Sequence, residues 1–193
     1  MDLSPIAWPR AILHLDMDAF FVNVHLLENP HDAGLPIAVG GRADSRGVIT
    51  SASYEARQFG VRSAMPSAQA LRLCPKLKIA SANWSMIREC SRQVMAILAE
   101  QGSLEQISVD EAYIDLSEQE NPQSTATNLP QLIRAGTGLP SSVGLGTSKL
   151  VAKVASDYDK PEGLTIVWPG TEAAFLAPQS VRVIWGIGPR TAE

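Results

Sequence analysis

An α+β fold with a mixed, largely antiparallel sheet is predicted by three features of the sequence. Short apolar runs of strand length are mixed with amphipathic helical stretches without strict alternation. Two of these runs, residues 104–109 and 112–116, are separated by two residues only, as in a hairpin. The chain has 193 residues and is 45% hydrophobic, enough for one sizeable core or two small ones.

The elements follow in order. Residues 1–10 hold two prolines and a tryptophan and read as an irregular lead-in. Residues 12–15 form a buried-looking strand that ends at Asp16-Met17-Asp18. Phe20, Val24 and Leu27 have helical spacing, with Asp18 as the expected N-cap and Asn29-Pro30 as the stop. Strands are expected at 36–39 and 48–51, flanking a polar Gly-Gly-Arg loop. Ser53 can cap a short helix that Gly60 closes. Helices fit 66–73 and 85–99. After the hairpin, residues 118–129 are polar and proline-broken and read as a loop, followed by a short helix near 130–135. A strand at 142–145, a helix from Thr147 or Ser148 to Ser156, and a strand at 164–167 complete the reading.

No repeat or low-complexity tract is visible, no apolar run reaches membrane-spanning length, and the amino terminus lacks a signal-peptide pattern. Cys74 and Cys90 form no C-x-x-C pair and read as buried thiols of a reducing cytoplasm. His14, His25 and His31 match no motif and read as structural or surface residues. The net charge of −4 speaks against a nucleic-acid binder, whose binding face is usually basic. Carboxylates clustered to hold cations would lower the net charge without repelling DNA once metal is bound.

Asp16 ends one strand, and Asp110-Glu111 lies between two others. If these strands are neighbours, three carboxylates converge, as two-metal phosphoryl transfer requires. Taken alone, Asp110-Glu111 reads more readily as an exposed turn. Asp16 is the stronger signal, because an acid after four buried-looking residues is costly without a purpose. An apolar strand ending in Asp-x-Asp also begins the phosphatases that use an Asp nucleophile. Those normally continue Gly-Thr or Gly-Val, whereas this chain continues Ala19-Phe20-Phe21.

Several motifs coincide with one family. Residues 16–21 (DMDAFF), 47–66 (GVITSASYEARQFGVRSAMP), 108–115 (SVDEAYID), 143–149 (VGLGTSK) and 155–163 (ASDYDKPEG) resemble the Y-family, or translesion, DNA polymerases. Within that family they are most similar to the bacterial polymerase IV (DinB-like) branch. The resemblance runs from about residue 11 to the end. It implies a polymerase palm at 1–19 and 83–169, an inserted small fingers subdomain at 20–82, and the start of a thumb at 170–193. It also implies template-dependent transfer of deoxynucleotides to a primer 3′-hydroxyl, with low fidelity and tolerance of damaged templates. The alternative is a polymerase-like binding protein without catalysis.

The resemblance assigns roles residue by residue. Asp16, Asp110 and Glu111 would hold two Mg²⁺ ions, or Mn²⁺, together with the backbone carbonyl of Met17. Phe21 would be the steric gate against a ribose 2′-hydroxyl. Phe20 is grouped with it at the nucleotide, although core packing is the better explanation of that ring. Tyr54, Arg57 and Lys160 would contact the triphosphate, through a phenol, a forked guanidinium and a point charge. Arg46 and Arg62 are either template contacts or ordinary solvated arginines. Residues 118–140 depart from the family in being shorter and more proline- and glycine-broken than its usual long palm helix. Residues 183–189 resemble the start of a helix-hairpin-helix, and the chain stops at Glu193 before a second helix, so a fragment or short form is expected. The implied partners are primer–template DNA, deoxynucleoside triphosphates and, for the full-length protein, a sliding clamp. A monomer in the bacterial cytoplasm, away from membranes, is expected.

Overall fold

The computed structural model describes residues 7–188 and 190–192. The first six residues of the expected lead-in, and Pro189 of the expected hairpin motif, lie outside them. The chain divides into two compact units. One is formed by the residues through Asp18 together with Gln93 onward, the other by Ala19–Arg92.

The first unit is built on five strands: β1 (Ile12–Met17), β5 (Ser103–Gln106), β6 (Glu111–Asp115), β7 (Ser141–Gly146) and β8 (Leu164–Ile166). Their order is β5-β6-β1-β7-β8. Every pairing is antiparallel except the parallel pair β7–β8, so the sheet is mixed and largely antiparallel, as expected. β1 lies at the centre and all six of its residues are buried. That explains why it reads as a continuous apolar run rather than an alternating one.

Helix α6 (Lys149–Tyr158) packs on β7 and β1. The Ser148 side chain caps it by accepting from the Val151 N–H, as the sequence predicts. Gly144 on β7 permits the close approach, since a Cβ there would meet Ala152 O at 2.1 Å and Ser156 N at 2.3 Å.

The expected loop at 118–129 is replaced by α5 (Pro122–Thr137), a continuous helix of 16 residues. The Asn121 side chain caps it, Pro122 sits in its first turn, and Gly138 closes it in the left-handed conformation at φ 74°. Proline is well placed at a helix start, where the missing N–H has no partner to lose. Pro130 is tolerated inside α5 because Pro122, Ala126, Leu129 and Ile133 form one buried stripe at helical spacing. The packing of that stripe outweighs the local cost of the proline.

The second unit holds a three-stranded sheet in the order β3-β2-β4, from β2 (Ile37–Gly40), β3 (Ile49–Ala52) and β4 (Lys78–Ala80). β4, which is parallel to β2, is too short at three residues to stand out in the sequence. Helices α1 (Phe20–Glu28), α2 (Tyr54–Gln58) and α3 (Ser67–Leu73) surround this sheet. Ser53 caps α2 by accepting from the Ala56 N–H, and Gly60 follows at φ 85°. Cys74 and Cys90 are buried free thiols. Buried Asp32 pairs with Lys78 at 2.5 Å and His25 at 2.8 Å. Helix α4 (Trp84–Ala99) contains the chain position at which the division falls. After β8 come α7 (Glu172–Leu176) and a 3-10 turn at Val181–Val183. No helix among the described residues is long and apolar enough to cross a membrane.

Asp18 is not the N-cap of α1. That position is Ala19, left-handed at φ 42°, with no side-chain cap. The Asp18 carboxylate is buried and accepts from the Ser142 hydroxyl at 2.9 Å and from the Glu162 N–H at 2.8 Å. A satisfied tertiary site for a buried charge outweighs a local cap worth about 1 kcal/mol.

Because Ala152 and Ser156 press on the space a side chain would need at residue 144, Gly144→Ala is expected to cost about 1–3 kcal/mol. Urea denaturation would measure the loss, with the α-helical signal retained at zero denaturant.

Candidate active site

Asp16 and Glu111 face each other directly across β1 and β6. Two residues earlier in β1, His14 pairs with Tyr113, so the period of two along a strand puts all four side chains on one face. The His14 and Tyr113 rings meet edge-on at 4.7 Å between centroids. Like charges directly opposed on neighbouring strands are destabilising, and Asp16 is also buried. The pair therefore needs cations.

Two lysines supply them. Lys153, on α6, places Nζ 3.0 Å from Asp16 Oδ2 and 2.9 Å from Glu111 Oε1. Lys160 places its own 2.7 Å from Asp16 Oδ2. Asp157 completes the cluster, 3.4 Å from Lys153 Nζ and 2.7 Å from Lys160 Nζ. Burial alone would raise the Asp16 carboxyl, but the Lys160 and Lys153 ammoniums hold it below the usual carboxylate range. Burial and the Asp16 charge opposite push Glu111 up. Burial works against the Lys153 charge, yet the surrounding carboxylates raise its pKa and keep the ammonium protonated.

His14 lies behind this cluster, fully buried. Its Nδ1 is 2.8 Å from Ser156 Oγ, and the Ser156 hydroxyl donates to the Lys153 carbonyl at 2.9 Å. The hydroxyl proton is thus committed, and Nδ1 must carry the imidazole proton. Nε2 then presents a lone pair. Among the described residues it has no hydrogen-bond partner, and it stands 3.9 Å from Glu111 Oε2. Burial, and after it the Lys153 charge, lower the His14 pKa to about 3, so the ring is neutral.

Asp110 occupies the bend between β5 and β6. Its carbonyl accepts from the Met17 N–H at 3.0 Å, which ties the bend to the end of β1. Its carboxylate accepts from the Ser108 hydroxyl at 2.6 Å, and Ser108 Oγ in turn accepts from the Glu111 N–H at 3.0 Å. The fold therefore unites Asp16, Glu111 and Lys160, with the backbone of Asp110 beside Met17, while the Asp110 carboxylate is engaged by Ser108. Among the described residues no three His, Cys, Asp or Glu side chains form a ready metal cage.

Within the second unit, Phe20 is buried, while Phe21 and Tyr54 are half-buried against one cluster of Ala19, Val22, Ile37 and Val39. Phe21 meets Phe20 and Trp84 edge-on, at 5.8 and 5.6 Å between centroids. Arg57 lies over the Tyr54 ring at 4.4 Å and donates from Nε to the Ala52 carbonyl. Its stacked guanidinium is thereby held with other donors uncommitted to that bond. Arg62 donates to the carbonyls of Arg57 and Val61, a local role. Arg46 follows a 3-10 turn in a left-handed conformation.

Sequence reasoning missed Lys153 and Ser142; His14, read as a structural or surface residue, is fully buried behind the cluster. Lys153 and Asp157 are four apart on a helix, which ordinarily marks a solvated surface pair, and nothing local distinguishes them.

Residues 15–157 match the model of the impB/mucB/samB family, and the chain belongs to that family. It is 44% identical over 189 residues to DNA polymerase IV 3 of Mesorhizobium japonicum, covering 95% of this chain and 52% of that protein. DNA polymerase IV of Halorhodospira halophila is 43% identical, with 95% and 53% covered. Among solved structures, DinB from Sulfolobus solfataricus superposes with a TM-score of 0.88 at 29% identity, covering 94% of this chain and 55% of that one. An insertion ternary complex of Dbh DNA polymerase gives 0.86 at 30% identity, covering 93% and 55%. The Y-family resemblance and the α+β fold are thus confirmed. The chain spans about half the length of the curated relatives it matches.

The neutral His14 makes stability pH-dependent. Its folded pKa, about 3, lies below the ordinary imidazole value of 6.5, so between these values the unfolded chain binds more protons and stability falls as pH falls. From pH 6.5 to 5, His14 is expected to contribute a slope approaching about 1.4 kcal/mol per pH unit. Urea titrations should show that slope flattened in His14→Phe.

Proposed function

We propose that this chain is the catalytic portion of a translesion-type DNA polymerase. It would transfer deoxynucleotides to a primer 3′-hydroxyl with release of pyrophosphate. The observation that carries this reading is the register pair Asp16–Glu111, with the Lys160 ammonium on the Asp16 carboxylate.

The donors suit hard divalent cations. Carboxylate oxygens at adjoining strand ends are the ligands Mg²⁺ and Mn²⁺ prefer, and the like charges there call for cations. Asp16, Glu111, the Met17 carbonyl and Asp110, from the bend stitched to Met17, would hold two such ions. When bound, the ions lower the pKa of the attacking hydroxyl and stabilise the leaving pyrophosphate.

The chain's own residues orient the substrate. Lys160 is held next to the acids by the loop that Asp18 pins through the Glu162 N–H, and would give its charge to the triphosphate. The stacked Arg57 guanidinium and the Tyr54 hydroxyl would bind phosphate oxygens. Phe21, packed edge-on against its neighbours, offers an apolar edge with no partner for a ribose hydroxyl. Phe20 supports that ring from the core.

In this reading residues 1–19 and 83–169 are the palm, 20–82 the fingers and 170–193 the start of a thumb. Primer–template DNA and deoxynucleoside triphosphates are the substrates, at low fidelity and on damaged templates. In the full-length protein a sliding clamp is a partner, and the state is a monomer in the bacterial cytoplasm.

Primer extension by the full-length protein tests this. Asp110→Ala and Glu111→Ala are each expected to lower the rate by about a hundredfold to a thousandfold, the scale of losing transition-state charge stabilisation. Unchanged extension would sink the polymerase reading. Hydrolysis of a small phosphate ester that needs Asp16 but not Glu111 would favour a phosphatase instead. Phe21→Val should raise ribonucleotide incorporation relative to deoxyribonucleotide by roughly tenfold to a hundredfold, read from single-nucleotide insertion.

A further inference from the structure

The Lys153 ammonium touches both carboxylates that the proposed function assigns to divalent cations. Its Nζ contacts Asp16 Oδ2 and Glu111 Oε1 at 3.0 and 2.9 Å. An ammonium and a metal ion cannot both hold those atoms at contact distance without strong like-charge repulsion in a partly dry site.

Lys153 is built into this position. Its side chain is 12% exposed, and the helix that carries it is fixed against the sheet at Gly144. One turn of backbone is tied to β1 as well, through Lys153 O, Ser156 Oγ and His14 Nδ1.

A second acceptor lies within reach. Asp157, on the next turn of the same helix, is 3.4 Å from Lys153 Nζ and far more exposed than Asp16. Its Oδ1 already holds Lys160 at 2.7 Å. That 3.4 Å separation puts Asp157 within reach of the Lys153 ammonium by side-chain torsions. The lysine stem is long and rotamer-rich enough to do this.

We propose that Lys153 is a positioning residue that competes with a divalent cation for Asp16 and Glu111, yields them by shifting onto Asp157, and thereby sets the affinity of the site for metal. Before that exchange the ammonium keeps two opposed carboxylates in register. After it, the charge stays nearby on Asp157 instead of leaving the cluster. The inference rests on the two-metal reading above.

Mn²⁺ binding to the full-length protein, measured by titration calorimetry at fixed pH and ionic strength, tests it. Lys153→Met should bind Mn²⁺ about tenfold more tightly than the wild type. It should also melt at a lower temperature in chelator and regain the loss with Mn²⁺. Lys153→Arg, which keeps the charge, should stay near wild-type affinity. Asp157→Asn should bind Mn²⁺ several-fold more weakly, because the ammonium then has no charged alternative. A purely structural ion pair would predict lower stability in Lys153→Met with affinity unchanged or reduced, and that result overturns the proposal. So does an Asp157→Asn variant that binds as the wild type does. If Lys153→Met does not fold, Asp157→Asn, altered at a more exposed side chain, decides alone. Wild-type protein that shows no Mn²⁺ binding sensitive to Asp16→Asn overturns the two-metal reading and this inference together. Wild-type binding with unaltered affinity in Lys153→Met overturns only the role of Lys153.

Discussion

Asp16 and Glu111 are opposed at contact range on adjacent strands, and that repulsion organises much around them. Two like charges in a site this dry persist only if something positive is close by. Lys153 and Lys160 provide it, so the placement of α6 and of the loop after it follows from the charge on the sheet. Removing either carboxylate would leave the lysines fewer acids to pair with, and removing the lysines would leave opposed acids without a cation. The cluster is one electrostatic unit, and its members cannot be assessed singly.

The packing around the cluster serves the same end. Gly144 brings α6 close enough to β7 for the Lys153 stem to reach across to β1 and β6. Asp18 is spent on Ser142 and Glu162, which anchors the turn that carries Lys160. His14 is kept neutral by burial and by Lys153, so no further positive charge competes at the acids. Behind the bend, Ser108 organises Asp110 and Glu111 through one oxygen that donates once and accepts twice. A hydroxyl can do this and an alkyl side chain of like size cannot.

The Ala19–Arg92 unit follows a different logic. Its small sheet buries Ala38, Ile49, Ala52, Val61 and Ala70, mostly small residues, so its helices can be short. On a separate cluster it presents aromatic rings and a stacked guanidinium, Phe21, Tyr54 and Arg57. Rings and a planar cation lose little conformational freedom when packed in this way. In the proposed function these residues would meet a nucleotide with little rearrangement.

Local chemistry made most of this readable in the sequence. The strand at Ile12–Met17, the hairpin that carries Asp110 and Glu111, the Ser53 and Ser148 caps and the family motifs are all written in contiguous residues. The proposed roles of Asp16, Glu111 and Lys160 came from those motifs, and the fold does bring these three together. Helix α5 was hidden because Pro130 and the polar stretch before it contradict helix locally, and only the buried stripe facing the sheet overrides them. β4 was hidden because three residues carry no period. The Asp18 carboxylate and the Lys153 ammonium were misjudged or missed for a common reason. Their partners lie 124 and 137 residues away in the chain, and a charge's best partner is chosen by distance in space. The sequence by itself determined the elements and the residue types of the site. Which charge neutralises which was decided only by tertiary structure, because electrostatics acts across whatever the fold makes adjacent.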